Sequence, residues 1–155
     1  MKKTNPLLVI LLCSIACLQS AAQDIAVASG TAFKIAANET FQVNGLTLVP
    51  SAAFDLNGLS ITKNTSITNT ASSGATAVSR FYLFSANSPA YSGTVQVNYL
   101  DAELNGLSES SLEVNNYDGS VWTPVTSTTN NTTNNYVVSN ALTSTILREI
   151  SLASS

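Results

Sequence analysis

The sequence contains no histidine, and its single methionine and two cysteines, Met1, Cys13 and Cys17, all lie near the N-terminus. Most of the side chains that act as general bases, thiol nucleophiles or transition-metal ligands are therefore missing after Cys17. A nucleophilic serine usually depends on a histidine base, which this chain cannot supply. We therefore expect the protein not to be an enzyme and to need no cofactor.

The first 22 residues have the pattern of a secretory signal peptide. Lys2 and Lys3 precede an apolar run from Leu7 to Ala16, and Ser20-Ala21-Ala22 places small residues before a cleavage site. The apolar run is too short to span a bilayer, which distinguishes it from a membrane anchor. We expect cleavage between Ala22 and Gln23. A lipoprotein acylated on Cys17 is the alternative.

Export predicts a protein that is secreted or associated with the outer membrane or cell surface, with the periplasm as a further location.

Lys2 and Lys3 account for two of the six basic residues, whereas all nine acidic residues lie after position 23. The remaining basic residues are scattered along the chain: Lys34, Lys63, Arg80 and Arg148. Nucleic-acid binding requires clustered basic side chains, so this distribution argues against it.

The strongest structural pattern is an Asn-Gly motif that occurs twice in similar surroundings. Phe41–Leu48 reads FQVNGLTL, and the segment 54–61 repeats it as FDLNGLSI. Asn-Gly favours two-residue β-hairpin turns because both central residues adopt positive φ. The sequence predicts two β-hairpins, or one short meander, with Gln42 and Thr47 pointing away from the apolar face of the first.

Short alternating segments separated by turn residues continue along the chain and predict an all-β domain. The predicted strands are Ile25–Ala28, Ala32–Ala36, Arg80–Ser85, Thr94–Tyr99, Leu112–Tyr117, Val121–Trp122, Tyr136–Val138 and Ile146–Leu152. We expect a turn over Ser88–Gly93 and an exposed loop over Thr126–Asn135. Residues 23–155 should form a single antiparallel β-sandwich, immunoglobulin-like or jelly-roll-like, with Trp122, Tyr82, Phe84 and Tyr99 in its core.

Several sequence segments, most of them in the second half of the chain, resemble β-sandwich modules that recur in large bacterial surface proteins. They are Arg80–Ser85, Pro89–Val95, Tyr99–Leu104 and Tyr117–Thr123, preceded by Leu46–Ser51. Those surface proteins include adhesins exported by the type IX route. The resemblance implies a β-sandwich with a role in adhesion or assembly at the bacterial envelope. This chain would be one stand-alone module without the sorting domain that such proteins usually carry.

Acidic residues near two turns are candidates for metal or acid–base chemistry. Asp101, Glu103 and Asp118 supply the hard oxygen ligands that calcium prefers, although no calcium-loop motif surrounds them. Asp101 and Glu103 are also spaced so that they would share one face of a strand, as paired carboxylates would require. Solvated turn residues are the simpler interpretation of all three.

Two classes of function fit an exported domain without catalytic side chains. The first is a structural or interaction protein, a small subunit or accessory of a cell-surface assembly, which binds an envelope protein by strand addition. The second is a secreted carbohydrate-binding module, in which tyrosines beside turns would form the ligand surface. The candidates for that surface are Tyr91, Tyr117 and Tyr136.

Overall fold

The computed structural model describes residues 24–68 and 76–154. The predicted signal peptide, its cleavage site and Cys17 lie outside the described residues. Within the described ranges the chain is all-β, and its strands pair antiparallel in sheets that pack against each other. The predicted β-sandwich is therefore confirmed. The described ranges contain no helix long and apolar enough to cross a membrane.

The first layer is a six-stranded sheet in the order β1-β6-β7-β14-β9-β10. Its strands are β1 (Ile25–Ala26), β6 (Ser60–Asn64), β7 (Ala77–Phe84), β14 (Glu149–Ser154), β9 (Leu112–Tyr117) and β10 (Trp122–Val125). β14 occupies the middle of this sheet, between β7 and β9. Short strands β1 and β10 form its two edges.

The second layer is also a six-stranded sheet: five strands follow the order β11-β12-β8-β4-β3, and the sixth, β13, pairs with β8. Its strands are β3 (Phe41–Val43), β4 (Leu46–Pro50), β8 (Ala90–Asn98), β11 (Ser127–Asn131), β12 (Tyr136–Ser139) and β13 (Leu142–Ile146). β12 pairs with one half of β8 and β13 with the other, on the side away from β4. A small additional ladder joins β2 (Lys34–Ile35) to β5 (Phe54–Asp55).

The first Asn-Gly motif forms the predicted hairpin. β3 and β4 pair with Phe41 opposite Leu48, Gln42 opposite Thr47 and Val43 opposite Leu46. Asn44 and Gly45 have φ of 50° and 88°, which is the type I′ geometry that suits the twist of a hairpin. Local turn chemistry therefore determines this hairpin.

The second Asn-Gly motif does not form a hairpin, so this prediction is wrong. Gly58 has a positive φ but Asn57 does not, and the turn closes through a bond from the Leu59 N–H to the Leu56 carbonyl. A turn of this kind splays its flanking strands apart. β5 accordingly pairs with β2, whereas β6 pairs with β1 and β7.

Two predicted loops also contain strands. β8 begins at Ala90, inside the predicted turn, so only the first two residues of that turn, Ser88 and Pro89, precede the strand. The Thr/Asn-rich segment forms the edge strand β11, since threonine is a good strand former and the Asn130 amide donates to the carbonyls of Glu109 and Leu112. Asn131 then accepts the backbone N–H groups of Thr133 and Asn134 and shapes the following turn.

The core lies between the two sheets and contains three of the four aromatic residues expected there, Tyr82, Phe84 and Tyr99. Trp122 is buried too, but outside this core: it lies opposite Tyr117 and packs on the outer face of the first sheet, beside Phe81. The remaining buried apolar side chains come mainly from alternate positions of the central strands, among them Val95, Val97, Val114, Val137, Ile150 and Leu152. This alternation is what a half-buried antiparallel sheet requires.

One buried ion pair lies at the end of the sandwich where the β3–β4 hairpin turns. Arg80 is 6% exposed, and its Nε and Nη2 atoms donate to both oxygens of Glu103. Nη1 donates to the Asn44 carbonyl, which also accepts the Tyr82 hydroxyl. The pair therefore connects β7, the 3-10 turn Asp101–Glu103 and the hairpin.

Candidate functional site

An open groove lies between β10, at the edge of the first layer, and β13, which belongs to the sheet of the second layer. Its volume is about 620 Å³. It is lined by Asn116, Asp118, Ser120, Thr123, Pro124, Val125, Thr126, Asn140, Leu142, Ser144, Thr145 and Ile146. Most of these side chains carry a hydroxyl, an amide or a carboxylate. The groove is thus a mixed polar and apolar surface.

Backbone and amide contacts hold the two walls of the groove in place. The Asn140 N–H donates to the Thr126 carbonyl at 2.7 Å, which joins the end of β10 to the start of β13. Asn116, on β9, donates through Nδ2 to the Ile146 carbonyl at 3.1 Å. Its Oδ1 is buried and has no hydrogen-bond partner among the described residues. A buried acceptor without a donor costs free energy.

A bulge in β13 shapes the outer wall. The register with β8 shifts between Leu142 and Thr145, and Ser144 has a φ of 48°, which non-glycine residues seldom adopt. The Ser144 N–H donates to the Ser92 hydroxyl at 2.9 Å. The backbone at this point is therefore turned out of regular strand pairing.

Asp118 forms the rim at one end of the groove. Its Oδ1 accepts the N–H groups of Ser120 and Val121 at 2.7 and 3.0 Å. These backbone bonds, the one from Val121 first, hold the pKa of the carboxyl below its ordinary value. The carboxylate accordingly stays charged at neutral pH and stabilises the turn.

A second surface is the β3 edge of the sheet in the second layer. Among the described residues β3 pairs only with β4, and its ladder contains no register shift. Phe33 lies beside this edge with its ring edge-on to Phe41, the centroids 6.4 Å apart, and is 41% exposed. An exposed aromatic side chain next to an open strand edge is a typical protein-binding feature.

The three tyrosines proposed as a ligand surface do not lie together in one. The prediction that Tyr91 is a surface residue is wrong, because its side chain is fully buried. It packs edge-on to Phe54 and donates to the Thr94 carbonyl. Tyr117 is half-buried and stacks at a tilt on Trp122, 5.6 Å between centroids. Tyr136 is half-buried on β12 and accepts the Asn131 amide. None of the three lines the groove.

The acidic residues considered for calcium are held by other partners. Glu103 is paired with Arg80 and, at 3.8 Å, with Lys63. Asp101 accepts the Asn135 amide, and Asp118 holds its own turn. Within residues 24–68 and 76–154, no three Asp, Glu, His or Cys side chains form a group able to hold a metal ion. The three-residue calcium site is therefore not assembled.

One further pair has the spacing of a Ser–Lys nucleophile and base. Ser60 and Lys63 stand three residues apart on β6, so they point to opposite faces of the sheet. The Lys63 ammonium is directed to Glu103 instead.

Sequence reasoning did not identify the groove, because its walls come from strands that do not pair with each other. The Pro124 and Ser144 positions carried no motif that would have connected them.

No protein-family model matches the chain, and no curated protein matches its sequence.

Proposed function

We propose that the protein is an exported, non-enzymatic interaction module, a small subunit or accessory of a bacterial cell-surface assembly. Its signal-peptide pattern and its resemblance to surface modules support this role. The observation that carries the proposal is the open β3 edge beside Phe33. A partner would contribute an extended segment that adds to the sheet of the second layer, next to β3, as a further strand.

The hydrogen-bond pattern indicates which backbone groups the partner would use. The Asn98 N–H donates to the Gly45 carbonyl, so Gly45 and Thr47 direct their backbone groups to β8. Alternation then directs those of Leu46 and Leu48 to β3. Gln42, opposite Thr47, accordingly turns its N–H and carbonyl outward, away from β4.

The other strand edges are less suited to strand addition. β10 contains Pro124, which has no N–H to donate, and β11 and β13 both contain register shifts. Proline and bulges at sheet edges prevent pairing with further strands. β1 has only two residues. β3 contains neither a proline nor a register shift, and the Phe33 ring adds apolar area that a partner can cover.

The proposal is tested by comparing Gln42→Pro with Gln42→Ala in a tagged protein recovered from gently solubilised envelopes. Proline removes the outward N–H but leaves the ladder to β4 intact, whereas alanine changes only the exposed side chain. We expect a partner in fixed stoichiometry with the wild type and Gln42→Ala, and its loss with Gln42→Pro. Equal recovery with Gln42→Pro, or no stoichiometric partner at all, would contradict the proposal.

A further inference from the structure

We propose that the groove between β10 and β13 binds a short neutral oligosaccharide through side-chain hydroxyl and amide groups. The groove lies on the side of β8 away from β4 and β3. Its function is therefore independent of the β3 edge, and either site could be present without the other.

The backbone of the walls is poorly suited to an extended peptide. Pro124 has no N–H, the Ser144 N–H is used by the Ser92 hydroxyl, and the Asn140 N–H is used by the Thr126 carbonyl. A strand added here would lack the regular series of donors that a ladder needs. Recognition must consequently depend on side chains.

The charges of the lining exclude anionic ligands. Asp118 is the ionised group of the lining, and no Lys or Arg among the described residues contributes to it. Phosphate, sulfate or carboxylate ligands are normally bound by arginine, lysine or clustered backbone N–H groups. A carboxylate at the rim instead accepts hydrogen bonds from ligand hydroxyls.

The polar side chains of the lining match a ligand rich in hydroxyl groups. Thr123, Thr126, Asn140 and Ser144 are exposed on the two walls and offer both donors and acceptors. Leu142 and Ile146 supply apolar area for the C–H faces of sugar rings. Asn116 closes the inner end of the groove, where its amide donates to the Ile146 carbonyl.

The size of the groove agrees with this class of ligand. Its volume of about 620 Å³ falls within the range of about 300–1,000 Å³ that small-molecule sites occupy. An open groove between two sheet edges also admits a chain whose ends extend into solvent. Short oligosaccharides have both properties.

The test is an NMR titration of the whole domain with cellotriose, maltotriose and chitotriose, and with trigalacturonic acid as the anionic comparison. We expect saturable amide shifts in β10 and β13 with at least one neutral trisaccharide. Thr123→Val removes one hydroxyl from the groove and should weaken that binding about fivefold to tenfold, the effect of one hydrogen bond. Thr129→Val makes the same change on exposed β11, outside the groove, and should leave binding unchanged.

Four results of the titration would overturn the proposal. These are no saturable shift with any neutral trisaccharide, equal weakening by Thr129→Val, full binding by Thr123→Val, or stronger binding of trigalacturonic acid. An alternating Thr-Val peptide that protects the amides of β10 and β13 from hydrogen exchange would also overturn it, and would make the groove a strand-addition site. Loss of the envelope partner in Gln42→Pro has no bearing on these results.

Discussion

Arg80 and Glu103 are joined by two parallel hydrogen bonds, from Nε to Oε2 at 2.7 Å and from Nη2 to Oε1 at 2.9 Å. Their side chains are only 8% and 14% exposed. Oε2 of Glu103 also accepts the Leu100 N–H, so this oxygen fixes the start of the 3-10 turn as well. The geometry is that of a bidentate Arg–carboxylate pair, the strongest type of ion pair in proteins.

We expect Glu103→Gln to destabilise the domain strongly. Removing one partner from a buried ion pair leaves an uncompensated charge and costs about 3–5 kcal/mol. Lys63→Met removes only the longer and more exposed contact to Glu103 and should cost less than about 1 kcal/mol. Urea denaturation of both variants measures these losses. A Glu103→Gln domain as stable as Lys63→Met would refute a structural role for the pair.

The hairpin turn beside this ion pair should tolerate no side chain. Gly45 and Gly106 both have positive φ, 88° and 79°, so alanine at either position costs about 1–2 kcal/mol in backbone strain. A Cβ at Gly45 would also lie 2.7 Å from the Arg80 Nη1 atom, whereas one at Gly106 meets nothing within 4 Å. Gly45→Ala should therefore be clearly the less stable variant. Equal free energies of unfolding would show that Arg80 can move aside.

Alkaline pH should unfold the domain through its buried tyrosines. Burial, together with the carboxylates of Glu109 and Asp101, raises the pKa of Tyr99 from 10.0 to about 12. The unfolded chain releases this proton near pH 10.0, so the stabilisation is complete below that pH and declines as pH rises from 10.0 towards 12. Burial raises the pKa values of Tyr82 and Tyr91 in the same direction.

The measurement is the melting temperature across this range, followed together with phenolate absorbance. We expect Tm to fall as the buried phenols ionise. Tyr99→Phe cannot ionise at this position, so its Tm should fall less steeply with pH even though it loses the bond to Glu109. Parallel Tm profiles for the wild type and Tyr99→Phe would contradict the assignment.

The two Asn-Gly motifs show what local sequence can and cannot predict. The residues around Asn44-Gly45 determine a hairpin by themselves, and its register follows from alternation. The same letters at Asn57-Gly58 give a turn without a hairpin, because β2 and β7 supply better partners for the flanking residues. Those partners are distant in sequence, so local patterns could not predict the outcome.

Tyr91 was predictable from information that the sequence contained. Tyr91, Gly93, Val95, Val97 and Tyr99 are the alternate buried positions of one continuous strand pattern. The Ser, Pro and Gly residues nearby favoured a turn, but Gly93 belongs to β8, where it pairs with Pro50. Hydrophobic periodicity outweighs turn propensity here.

The groove could not be predicted, because it depends on the packing of two sheets. β10 and β13 do not pair with each other, and only the folded sandwich brings their edges together. The shape of its wall depends on the unusual φ of Ser144, which its side-chain type does not indicate.

The central position of β14 has a consequence for the order of folding. β6 and β7 on one side, and β9 and β10 on the other, are joined in the sheet of the first layer through β14. During synthesis this sheet cannot be completed before residues 149–154 are available. Most of its pairings also connect residues far apart in sequence, which makes folding slow. Until then the strands of this sheet should remain unfolded, the form in which a protease can cleave a polypeptide.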